Sequence, residues 1–80
     1  MDRRLSAIVD EAQFYATEIL KLQEKTSAKN LQIGQEFQLL ADNPPEDPVI
    51  GRKKLNGIRD KLSIDMLMHI LPQYVPKNKL

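Results

Sequence analysis

His69 is the one histidine of the chain, and cysteine is absent, so the residues able to do chemistry are few. Asp65 precedes His69 by one helical turn. A metal centre needs three or four ligands at suitable spacing, and this pair supplies two. As a pair they suit a surface contact or a pH-sensitive hydrogen bond. Asp42, Glu46 and Asp47 form a second group of acids, but they stand around Pro44, Pro45 and Pro48. Acids beside prolines serve turns and helix caps, not paired acid–base chemistry. Ser6, Ser27 and Ser63 lack the glycine-rich elbow that presents a serine nucleophile. These residues predict no enzyme, no metal, no cofactor and no small-molecule substrate.

The run Arg52-Lys53-Lys54, followed by Arg59 and Lys61, raises the question of nucleic acid. Phosphate tracking gathers cations on one surface. On a helix turning about 100° per residue, Arg52 and Arg59 border one side of the apolar face, Lys54 and Lys61 the other, and Lys53 points outward. Long basic side chains in such positions lay their stems along a core and keep their charges in water. Lys+Arg number 12 against 11 Asp+Glu, a formal net charge of +1, which provides no strong overall field. A small nucleic-acid-binding regulator using Arg52, Lys53, Lys54, Arg59 and Lys61 is therefore the alternative function, and nucleic acid is not the first partner expected.

The elements that carry these residues are set by Asn43-Pro44-Pro45-Glu46-Asp47-Pro48. Prolines remove backbone donors and fix φ, so no helix passes through. Before this corner, Leu5, Ile8, Val9, Ala12, Tyr15, Ala16, Ile19 and Leu20 recur on one stripe. They predict a helix from about Asp2, its N-cap, to Lys25. Asp10, Glu11, Lys21 and Lys25 fall off the stripe, and Phe14 projects almost opposite it. Thr26, Ser27 and Asn30 are poorer helix formers, which favours a break and a second helix over 28–41 with Ile33, Phe37 and Leu40 inward. The alternative is one helix over 2–41, about 60 Å long. The second arm is too short to cover that length, so an unbroken first arm implies a dimer.

After the corner, Asp47 and Pro48 are a helix start, an acid at the N-cap and proline at the first helical position. Leu55, Ile58, Leu62, Met66 and Ile70 define an inner face, with Gly51 on it and Gly57 on the far side. Pro72 ends the arm at about Leu71. Ser63 allows either a continuous helix or a second, short one from Ile64. Residues 1–71 are expected to be a single helical domain and 72–80 an extended or flexible tail.

Ile64 to Leu71 is apolar on two sides. Met66 and Ile70 continue the inner stripe, whereas Ile64, Leu67, Met68 and Leu71 gather opposite it. A helix apolar on both sides is buried on both, and methionines suit adaptable contact surfaces. An 80-residue chain without cysteine has a limited core and no disulfides, which leaves association as the route to further burial. Ile64, Leu67, Met68 and Leu71 are thus expected to form a partner-binding face, with Phe14 and Tyr74 as aromatic anchors.

The two-arm plan with Asn43-Pro44 at its corner resembles type III secretion needle subunits in the hairpin plan. The corner's proline spacing and the second arm after Leu62 depart from that family, so no function is carried across. The expectation is an all-α bundle of three or four helices, turning at 43–48. Its function is protein–protein interaction, by self-association as a homodimer, a heterologous partner, or both. Small regulators, inhibitors, immunity proteins and secretion accessories fit this description. The N-terminus lacks a signal-peptide pattern and no apolar run reaches the roughly 18 residues of a membrane span, so a cytoplasmic setting is expected.

Overall fold

The computed structural model describes residues 2–22 and 28–70. Among them are four helices and no strand: α1 (Arg3–Leu20), α2 (Ala28–Asp42), α3 (Pro48–Arg59) and α4 (Ile64–Ile70). The all-α bundle expected from the hydrophobic spacing is the fold, with four helices.

α1 starts where Asp2 caps it, its carboxylate accepting from the Arg4 backbone N–H at 2.7 Å. That N–H, with the Arg4 guanidinium beside it, holds the Asp2 carboxyl below its ordinary range. Leu5, Ile8, Ala12, Tyr15, Ala16 and Ile19 are buried along one stripe. The helix ends at Leu20, short of the expected Lys25, because the chain tightens there. The Leu22 N–H donates to the Ile19 carbonyl at 3.1 Å, a bond spanning three residues instead of four.

α2 returns antiparallel to α1. Gln13 faces Gln38, and their amides exchange hydrogen bonds of 3.0 Å in each direction. Further along the pair, Gly34 sits against Ile19 and Leu20. A Cβ on Gly34 would come within 3.0 Å of Ile19 Cγ2, so the missing side chain lets the two backbones approach. Side-by-side packing excludes the unbroken helix over 2–41. The longest dimension of the molecule is 36 Å, well below the length such a helix would need. Thr26 and Ser27, two of the poorer helix formers expected at the break, lie outside the described residues.

α3 begins as its sequence predicts. The Asp47 carboxylate accepts from the Val49 N–H at 2.8 Å, and Pro48 follows the cap. The helix lies across the hairpin, Gly51 meeting Ile8, Leu5 and Pro45, with Leu55 wholly enclosed. The arm then breaks. The N–H groups of Lys61 and Leu62 donate to Ile58 and Arg59 at 3.1 and 3.0 Å, closing α3 with tight turns. The Ser63 hydroxyl accepts from the Met66 N–H at 3.2 Å, so Ser63 caps a separate α4. Leu62 and Ile70 anchor this last segment in the core.

The centre of the core is aromatic. Tyr15 and Phe37 are fully enclosed, with ring centroids 5.1 Å apart. Phe14, placed opposite the stripe by spacing alone, is half-buried against this core. Its ring meets that of its neighbour Tyr15 edge-on at 6.2 Å.

Candidate interaction surfaces

The exposed face of α4 carries two of the expected partner-binding residues. Ile64 and Met68 stand one turn apart with 74% and 68% of their surface open to solvent. Leu67, between them, is half-buried and packs on the core with Met66. Leu71 and Tyr74 lie outside the described residues. Phe14 belongs to the hairpin and contributes part of its ring to the core. Of the four that are described, Ile64 and Met68 form an exposed ridge, while Leu67 and Phe14 pack against the core.

The basic residues are dispersed by the carboxylates that face them. Arg52 Nη1 lies 2.7 Å from Glu11 Oε2, and Arg59 Nη1 lies 3.7 Å from Glu11 Oε1. Lys61 Nζ meets Glu36 Oε1 at 2.7 Å. Three members of the run thus reach back to α1 or α2, and exposed Lys53 and Lys54 are its remaining cations among the described residues. Asp65 and His69 are exposed on α4. No group of three or more His, Cys, Asp or Glu side chains that could hold a metal ion occurs among the described residues.

Glu11 was the residue spacing misplaced. Counted off the apolar stripe of α1, it is buried because α3 crosses directly over it. The Tyr15 hydroxyl donates to Glu11 Oε1 at 2.6 Å, and Arg52 donates to the other oxygen. Both carboxylate oxygens are thereby satisfied, which lets a charge survive at this depth. Burial pushes the Tyr15 phenol up to about 12; the hydrogen bond to Glu11 and the Glu11 charge act the same way, and Arg59 partly opposes them. The arrangement is an ionic clamp between α1 and α3.

Two grooves run beside α3. One lies against α1, with Ala7, Ile8, Pro48 and Val49 as its apolar floor and Arg4, Arg52 and Lys53 at its rim. The other lies against α2, where Leu39, Leu40, Gly57 and Ile58 are bordered by Glu36, Lys54 and Lys61. Leu39 has 63% of its surface exposed, and Val49 and Ile50 are also open. Sequence reasoning passed over these three. Their signal was adjacency: in Leu39-Leu40 and Val49-Ile50-Gly51 a helix with one buried stripe cannot turn every neighbour inward.

No described helix is long and apolar enough to cross a membrane. Set against protein-family models, curated proteins and solved structures, the chain finds no match.

Proposed function

We propose that this chain is a non-enzymatic protein–protein interaction module, binding another copy, a different protein, or both through apolar helix surface. The observation that carries the reading is the Ile64–Met68 ridge. These two large side chains remain in water although the core beneath them is closed by Leu62, Leu55 and Ile70. Covering apolar surface gains roughly 25 cal/mol per Å², and a ridge one turn long is the form a partner groove accepts.

The alternative of nucleic-acid binding draws less support. Arg52, Arg59 and Lys61 are engaged with carboxylates of neighbouring helices, and phosphate would have to displace those contacts.

The test is light scattering across a concentration series, followed by affinity capture from the native source with wild type and with Ile64→Asp/Met68→Asp as paired baits. A partner, or a second copy, held by wild type and lost with the double variant supports the reading. Binding of duplex DNA or RNA that weakens with salt, with no protein partner lost, would replace it with the nucleic-acid function.

A further inference from the structure

We infer that the α2/α3 groove binds a small apolar monocarboxylate, an acyl or aryl acid that it holds without transforming. This site goes beyond the interaction-module reading and does not involve the Ile64–Met68 ridge.

The groove is a trough between two stretches of chain that run in opposite directions. The corner at 43–48 turns the chain back, and the Glu36–Lys61 contact at 2.7 Å fixes which residues face each other. Glu36 and Lys61 therefore lie at one end, and Asn43 and Lys54 at the other. From Glu36 to Asn43 the chain rises about 10 Å. Between the ends the surface is apolar. Leu40 is buried and Ile58 packs on the core, which makes them the floor, while exposed Leu39 stands as a wall. Gly57 keeps the trough open: a Cβ there meets nothing within 4 Å, whereas one at Gly34 or Gly51 would press on Ile19 or Ile8. The volume is about 600 Å³, within the range of small-molecule sites.

Two features select the occupant. The first is size. The Glu36–Lys61 pair bridges α2 to the residues that follow α3 and closes one end, so a partner helix or strand cannot run along the trough without breaking it. A molecule about 10 Å long fits between that bridge and Asn43.

The second feature is charge. The charged residues of the lining are Glu36, Lys54 and Lys61. Glu36 and Lys61 neutralise one another. Lys54 is exposed and has no carboxylate partner among the described residues, which leaves one positive charge at the end away from the bridge. Asp42 is drawn off that end, accepting from Gln38 at 3.0 Å on the side where Gln38 meets Gln13 of α1. The carbonyl end of α2 carries about half a negative charge, less than the full charge of Lys54. A carboxylate therefore seats on the Lys54 ammonium, with the Asn43 amide as a second donor. Its apolar body lies over Gly57, between Leu39 and Ile58.

The experiment is a titration of the full chain with octanoate, followed by the amide signals in two-dimensional NMR. Saturable shifts centred on Leu39, Leu40, Gly57 and Ile58 are expected, half-complete at about 0.1–1 mM. Octylammonium, the same chain with the opposite charge, should bind roughly fivefold more weakly, and Lys54→Gln should weaken octanoate by a similar factor. Gly57→Leu fills the trough and is expected to abolish the shifts; both substitutions are at exposed positions, and circular dichroism melts confirm folding. Shifts centred instead on Ile64 and Met68 or on the α1/α3 groove, or Gly57→Leu binding like wild type, overturn the site. Octylammonium equal to octanoate, with Lys54→Gln unchanged, overturns the ligand class. An absence of saturable shifts up to about 10 mM overturns both, and leaves the interaction-module reading to its capture experiment.

Discussion

The α1–α2 hairpin and the α3–α4 arm make opposite use of their apolar side chains. In α1 the stripe from Ile8 to Ile19 is almost wholly enclosed, since α2 covers one side and α3 crosses the other. The α3–α4 arm encloses Leu55, Leu62 and Ile70 but leaves Val49, Ile50, Ile64 and Met68 in water. A helix of seven residues has no independent stability. α4 persists because Leu62 and Ile70 are buried at its two ends and Ser63 caps it. The hairpin is thus the part that makes the fold, and the arm is the part with surface to spare. Leu39 is the hairpin's exception, exposed at the α2/α3 groove.

The contrast is broken most severely at the aromatic centre. Phe37→Ala removes a ring with no exposed surface and is expected to cost about 3–5 kcal/mol, read as a drop in urea midpoint. For a domain of this size that loss approaches the whole stability. Glu11→Ala, which opens the clamp, should cost about 2 kcal/mol. It removes the acceptor of the Tyr15 hydroxyl proton, whereas Arg52 can turn to water. Chemical denaturation of this variant and of Glu11→Ala/Tyr15→Phe separates the two contributions: the double variant regains part of the loss if the lost acceptor is the cause.

The clamp also has a pH signature. The phenol of Tyr15 is raised in the folded chain to about 12, against about 10 when unfolded. Between these values the native state binds more protons than the unfolded one, so stability falls as pH rises through this window, by roughly 1 kcal/mol per pH unit. Below about pH 10 the contribution is fully present. Denaturation midpoints for wild type and Tyr15→Phe should diverge at neutral pH and converge toward pH 12; parallel curves would refute this account.

Two glycines sharpen the contrast at smaller scale. A methyl group at Gly34 enters the α1/α2 interface against an Ile19 that is fully enclosed. Gly34→Ala is expected to cost about 1 kcal/mol, overpacking outweighing the gain in helix propensity. At Gly57 a Cβ meets nothing within 4 Å, and Gly57→Ala should stabilise by about 0.5–1 kcal/mol. Thermal melts of the two variants should therefore shift in opposite directions. Smallest of all, Ile64→Ser and Met68→Ser should change monomer stability by less than about 0.5 kcal/mol. A larger loss would mean that the ridge is part of the core and not a surface for partners.

Much of this architecture was legible before any coordinates. The corner at 43–48, the Asp47-Pro48 start of α3 and the inward faces of α1 and α2 follow from proline stereochemistry, capping and period, all of which act within a few residues. The interaction face was legible in part. Ile64 and Met68 stand out because α4 is apolar on two sides, but periodicity cannot assign each side to core or solvent. Leu67 consequently reads the same as its neighbours in sequence and differs from them in burial.

What the sequence determined by itself is the set of local elements: where helices start, where they cannot continue, and which stripe of each seeks burial. Only the tertiary structure decided whether the first arm breaks, since Thr26 to Asn30 tolerate either outcome and the packing of Gly34 on Ile19 selects one. It also decided the fate of Glu11, an acid off the stripe until α3 crosses it and supplies Arg52. Local preferences are energies of neighbouring residues. Burial of a charge and closure of a groove depend on contacts between residues far apart in the chain, and those exist only once the helices have packed.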